Sequence, residues 1–112
     1  MIIPEVIRIG SCDYLVEFTD DAILVDHQEC YADIDYNLHK IHISNKLGDI
    51  QTQEQSFLHE IVHGIISDRA INLKEDDEEL VVDELAKGLR QIIRDNPEMF
   101  LDEERNEEEV NV

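Results

Sequence analysis

Basic residues are scarce in this 112-residue chain. Nine Lys and Arg stand against 28 Asp and Glu, for a formal net charge of −19. The phosphate attraction that drives binding to nucleic acid or an anionic membrane is repulsive for such a surface, so neither is expected as a direct partner. Long apolar runs are missing as well. None approaches the ~20 residues that a bilayer-spanning helix needs, and no basic stretch leads into an apolar one as in a secretory signal. Cysteine occurs only at positions 12 and 30, without CxxC spacing. Cys12 and Cys30 therefore read as reduced thiols of a cytoplasmic protein, packed as small buried hydrophobes.

What is present suits one small domain. Apolar residues make up 42% of the chain, enough for a modest core, and no internal repeat is visible. Six acids against the single Arg105 crowd residues 102–112, which are expected to form an acidic, disordered tail. The tail carries −5 and residues 1–101 carry −14, so the tail does not account for the acidity.

The first half of the chain has the composition of strands. Val6–Ile9 and Tyr14–Phe18 are β-rich and separated by Gly10-Ser11-Cys12-Asp13, a turn sequence; Ile23–Val25 is a third short run. Residues 32–35 and 40–43 flank Tyr36-Asn37-Leu38-His39, which predicts a hairpin with a four-residue loop. Helical periodicity takes over in the second half. Thr52 and Gln55 have the spacing of a capping box, and the apolar residues Phe57, Leu58, Ile61, Val62, Ile65 and Ile66 fill one side of a helix ending near Ser67. After a loop over residues 68–76, a second helix is predicted from about Asp77 to Asp95, with Val81, Leu85, Leu89, Ile92 and Ile93 facing the core. Asn96-Pro97 ends it, and Pro97 is placed to open a short third helix. Strands followed by helices predict an α+β domain: a small, mostly antiparallel sheet, then two principal helices.

The chemistry is concentrated in His59-Glu60-Ile61-Val62-His63, an HExxH motif inside the first predicted helix. Residues i and i+4 lie about 40° apart around a helix, so both imidazoles can reach one ion from the same face. Glu60 lies about 60° from His63, within reach of a metal-bound water without becoming a ligand itself. Zn²⁺ acidifies that water, and a carboxylate can take its proton. A catalytic zinc site needs a third protein ligand. The acidic start of the second helix offers Glu79, on the rim of the core-facing side, with Glu78 as the alternative. Asp83, one turn later, is placed to accept the free N–H of a ligating histidine, while Glu84 points to water.

These residues carry a family likeness. HExxH followed by Glu79-xxx-Asp83 resembles the gluzincin pattern, and ELVVDELA (79–86) is similar to the third-ligand block of ImmA/IrrE-type metallopeptidases, a group often encoded by phages and mobile elements. Short strands running into LHEIVHGI are also like SprT-type minimal proteases. The likeness spans roughly residues 1–95, and its specific part is HExxH with Glu79. It implies a minimal zincin-like domain over residues 1–101, with zinc held by His59, His63 and Glu79. It further implies Glu60 as general base, Asp83 as the orienting carboxylate, and a peptide or protein substrate. Asp83 and Val82 stand where that block has Asn and Ala. Tyr31, Tyr36, His39 and His42 are the candidates for steadying an oxyanion. Cys30 is not read as a ligand of the peptide-deformylase kind, because that family's EGCLS motif is absent. Two other functions fit the same residues: an acidic interaction protein of the DNA-mimic or inhibitor type, motivated by the −19 charge, and a degenerate scaffold that keeps zinc for stability.

Overall fold

The computed structural model describes residues 1–101; the acidic tail expected at 102–112 lies outside the described residues. Six strands precede two helices: β1 (Val6–Ile9), β2 (Cys12–Thr19), β3 (Ile23–Val25), β4 (Gln28–Cys30), β5 (Ala32–Asp35), β6 (Lys40–Ser44), α1 (Ile50–Asp68) and α2 (Glu75–Asp95). A 3-10 turn, Pro97–Phe100, follows, with Pro97 in its first turn. The fold is α+β with a mostly antiparallel sheet, as expected. No helix among the described residues is long and apolar enough to cross a membrane.

The main sheet has the order β1-β2-β6-β5. It consists of two antiparallel hairpins joined through a parallel pair, with Leu15 opposite Lys40 and Thr19 opposite Ser44. The first hairpin turns on two residues, Gly10 and Ser11, so Cys12 and Asp13 belong to β2 and not to the turn. Gly10 has φ 61°, the left-handed region that a tight turn requires and that glycine adopts without strain. The second hairpin has the expected four-residue loop. There the Asp35 carboxylate accepts hydrogen bonds from the backbone N–H groups of Asn37 and Leu38, both at 2.9 Å. β3 and β4 form a separate two-stranded ribbon. β4 was not foreseen, because Gln28-Glu29-Cys30 has no alternating apolar pattern.

One face of the sheet packs on α1. Ile9, Tyr14, Val16, Ile41, Ile43 and Phe57 make the main core. Close approach requires Gly64: a Cβ there would stand 2.7 Å from Ile9 Cδ1 and 3.3 Å from Ile34 Cδ1. A second, smaller core of Val62, Ile66 and Val82, with Leu73 against it, joins the two helices.

Both helices begin earlier than predicted. Asp49 is the N-cap of α1, its carboxylate accepting from the Thr52 N–H at 2.9 Å, so the Thr52–Gln55 capping box does not form. Asp ranks among the best capping residues, and Thr52 is the N3 residue whose N–H it satisfies. α2 starts at Glu75 without a side-chain cap. Glu75, Asp76, Asp77 and Glu78 fill its first turn instead, where negative charge complements the helix dipole. The buried face of α2 also differs from expectation, centring on Val82 and Ala86, both fully buried. Val81, Leu85, Leu89 and Ile92 are exposed, as is Ile65 of α1. α2 lies at the margin of the molecule, where α1 offers only a narrow apolar seam, and the small side chains fill it. Cys12 and Cys30 are free and only half-buried, correcting their placement as buried hydrophobes.

Candidate metal centre

Phe57 anchors α1 in the main core and Val62 and Ile66 in the smaller one, and Leu58 is buried as well. The intervening His59, Glu60 and His63 come to line an open groove of about 940 Å³, walled by the β3–β4 ribbon, β5 and the first turns of α2. Burial of the apolar positions thus orients the HExxH residues.

The two imidazoles stand one helical turn apart, edge to face, with ring centroids 4.9 Å from each other. Their Nε2 atoms share one neighbour across the helix pair. Glu79 places Oε2 3.6 Å from His59 Nε2 and Oε1 2.9 Å from His63 Nε2. On the Nδ1 side, Glu78 stands 2.6 Å from His63, a hydrogen bond, and Asp83 lies 3.9 Å from His59, beyond one, with Lys87 at 3.0 Å as its ion-pair partner. Glu78, weighed above as an alternative ligand, thus stands at the opposite ring nitrogen from Glu79. Burial, reinforced by the neighbouring His63, holds His59 below its ordinary pKa and favours the neutral ring that a metal requires.

Ligand atoms of His59, His63 and Glu79 all lie within 4.8 Å of one another, the group among the described residues with metal-binding spacing. Ligands about 2.0–2.2 Å from a tetrahedral zinc stand about 3.3–3.6 Å apart, and Glu79 meets the two imidazoles near that spacing, through different oxygens, at 2.9 and 3.6 Å. Two imidazole nitrogens and a carboxylate oxygen also match the donor chemistry of zinc. The residues fit the ion.

Glu60 is 7% exposed, yet no hydrogen bond or ion pair reaches its carboxylate among the described residues, and its oxygens open on the groove. Burial first, then the charges of Asp33 and Glu79, push its carboxyl up to about 8. Such a group holds its proton at neutral pH unless a donor or cation in the groove stabilises the charged form.

Of the four oxyanion candidates, Tyr31 and Tyr36 line the groove. His39 instead tilts against Tyr14, with ring centroids 5.3 Å apart. His42 is held by Asp33 at 2.8 Å on Nδ1, with Glu17 at 3.7 Å from Nε2. Burial, then Glu78 and Glu60, push the Tyr36 phenol up to about 12, so it remains a hydrogen-bond donor at neutral pH. Asp33 is a site residue that sequence reasoning missed. Its only signal is the alternation of Ala32-Asp33-Ile34-Asp35, which does not say where the outward carboxylates meet α1.

Comparison of the chain with protein-family models, with curated proteins and with solved structures returned no match.

Proposed function

We propose that this chain is a minimal zinc-dependent metallopeptidase of the ImmA/IrrE-like kind, acting on a peptide or protein substrate in the cytoplasm. One observation carries the proposal: both HExxH imidazoles turn Nε2 to Glu79 while carboxylates stand at their Nδ1 atoms. This arrangement supports His59, His63 and Glu79 as ligands, with Glu78 and Asp83 orienting the rings. The half-buried, unpaired thiols of Cys12 and Cys30 agree with a reducing compartment.

A bound zinc ion supplies a Lewis acid that acidifies water and polarises a carbonyl. The chain's own residues do the rest. Glu60, buried beside the ligands and open to the groove, takes the proton from the attacking water and returns it to the departing amine. A carboxylate with raised proton affinity is suited to both halves of that transfer. Tyr36 donates a hydrogen bond toward the developing oxyanion.

The first test is metal content. Mass spectrometry of protein purified without added zinc is expected to find about one zinc per chain, lost in His59→Ala. Glu60→Gln should keep the metal and lose peptide hydrolysis. No metal in the wild type, even after zinc is offered, removes the proposal. A second reading draws on the narrow seam of Val62, Ile66 and Val82 between the helices, which leaves room for zinc as a structural clamp. It predicts a chelator-induced fall in Tm without turnover of any substrate.

A further inference from the structure

We infer that the groove receives a polypeptide segment bearing Lys or Arg side chains beside the scissile bond; this rests on the peptidase proposal and names its substrate class. Twenty residues line the groove, of which eight are carboxylic acids and none is Lys or Arg. A divalent ion would offset only two charges of this lining, and Lys87, outside the groove, meets Asp83 at 3.0 Å. Glu60, Glu78, Glu79 and Asp83 belong to the metal centre, and the remainder stand on opposite walls. Asp26 and Glu29 lie at the ribbon, Asp33 on β5, and Glu75 at the start of α2. Lys46, which does not line the groove, reaches Glu29 at 3.8 Å, and His42 holds Asp33 at 2.8 Å. Asp26 and Glu75 have no ion-pair partner among the described residues.

Glu60 adds a buried group to this lining. Its side chain is more than nine-tenths buried, no hydrogen bond or ion pair reaches it among the described residues, and it lines the groove. A neutral or acidic segment would leave Asp26 and Glu75 without an opposite charge, whereas ammonium and guanidinium groups pair with them directly. The exposed rings of Tyr31 and Tyr36 add faces on which a cation can rest. Solvated acids elsewhere keep the whole chain negative, so the test must separate groove charge from net charge.

Binding is read with the full-length, zinc-loaded Glu60→Gln protein, by fluorescence anisotropy of two labelled peptides of equal length. One carries Lys and Arg around its central bond and the other carries Glu at the same places. The basic peptide is expected to bind at least about tenfold more tightly, with the preference falling as salt is added. The triple variant Asp26→Asn, Glu29→Gln, Glu75→Gln should cut that preference by about tenfold. A control triple outside the groove, Asp13→Asn, Glu84→Gln, Glu98→Gln, changes net charge equally and should leave it within about twofold. Equal binding of the two peptides, or equal losses in the two triples, overturns the inference. Cleavage by the unmutated protein is scored separately. Binding of the basic peptide without cleavage removes the peptidase proposal and leaves a cation-binding groove. Equal kcat/KM on both peptides keeps the peptidase and removes the specificity.

Discussion

Glu78 closes on the Nδ1 atom of His63 at 2.6 Å, the ring nitrogen opposite the one that meets Glu79. That contact favours the tautomer that leaves Nε2 free for a metal and holds the ring in place. Glu78→Ala is therefore expected to keep the site but weaken zinc binding by about 10–100-fold in a chelator competition. Glu79→Ala should cost more, because it removes a ligand. The reverse order would make Glu78 the ligand.

Glu60 gives the metal-free protein a pH dependence of defined sign. Its carboxyl is raised from 4.5 to about 8, so the folded state holds a proton that the unfolded state releases above pH 4.5. Wild-type stability should then decline as pH rises from about 4.5 to about 8. Metal-free Glu60→Gln should match the wild type at pH 4 and exceed it by about 3–5 kcal/mol at pH 8.5 in urea unfolding. Parallel stability curves for the two proteins would show that the carboxyl is not raised.

Two helical glycines should respond in opposite directions to alanine. Gly88 has nothing within 4 Å of a built Cβ, so Gly88→Ala should stabilise the protein by about 1 kcal/mol through helix propensity alone. Gly64→Ala forces a methyl against the buried Ile9 and the partly buried Ile34 and should destabilise by about 1–3 kcal/mol. Thermal unfolding of both variants checks the approach of α1 to the sheet. Stabilisation by both would mean that the contact is looser.

Arg90 of α2 meets the Glu54 carboxylate of α1 at 3.1 Å, and each side chain is only 13% exposed. The amino terminus also lies 3.3 Å from Glu54. Arg90→Met should lower stability by about 1–3 kcal/mol, because it leaves the largely buried carboxylate with the amino terminus as its one remaining cation. The double variant with Glu54→Gln should recover much of that loss. No recovery would mean that Arg90 acts through packing alone.

Tyr36→Phe removes one hydroxyl from the groove and none of the proposed ligands. Turnover should fall by about tenfold or more with zinc content and KM little changed. A rise in KM alone would place Tyr36 in substrate binding instead.

The parts of this protein that follow from its sequence are those decided by near neighbours along the chain. Four-residue spacing puts His59 and His63 on one side of α1 whatever surrounds the helix. Asn96-Pro97 ends α2, and alternation in Lys40–Ser44 marks a half-buried strand, for equally local reasons. Glu79 and Asp83 could be named because a helix repeats its face each turn. Other features depend on contacts between distant segments. The parallel pairing of β2 with β6 rests on long-range closure, and no local pattern in either strand announces its partner. The turning of α2 onto Val82 and Ala86 was settled by the narrow seam that α1 presents; its own periodicity favoured Val81, Leu85, Leu89 and Ile92. Asp33, Tyr36 and the ribbon acids share a groove with His59 and His63 only because the sheet and the two helices enclose it. Local periodicity determined which residues could bind a metal, and tertiary packing decided what faces them, since burial and charge at a site are set by the whole chain.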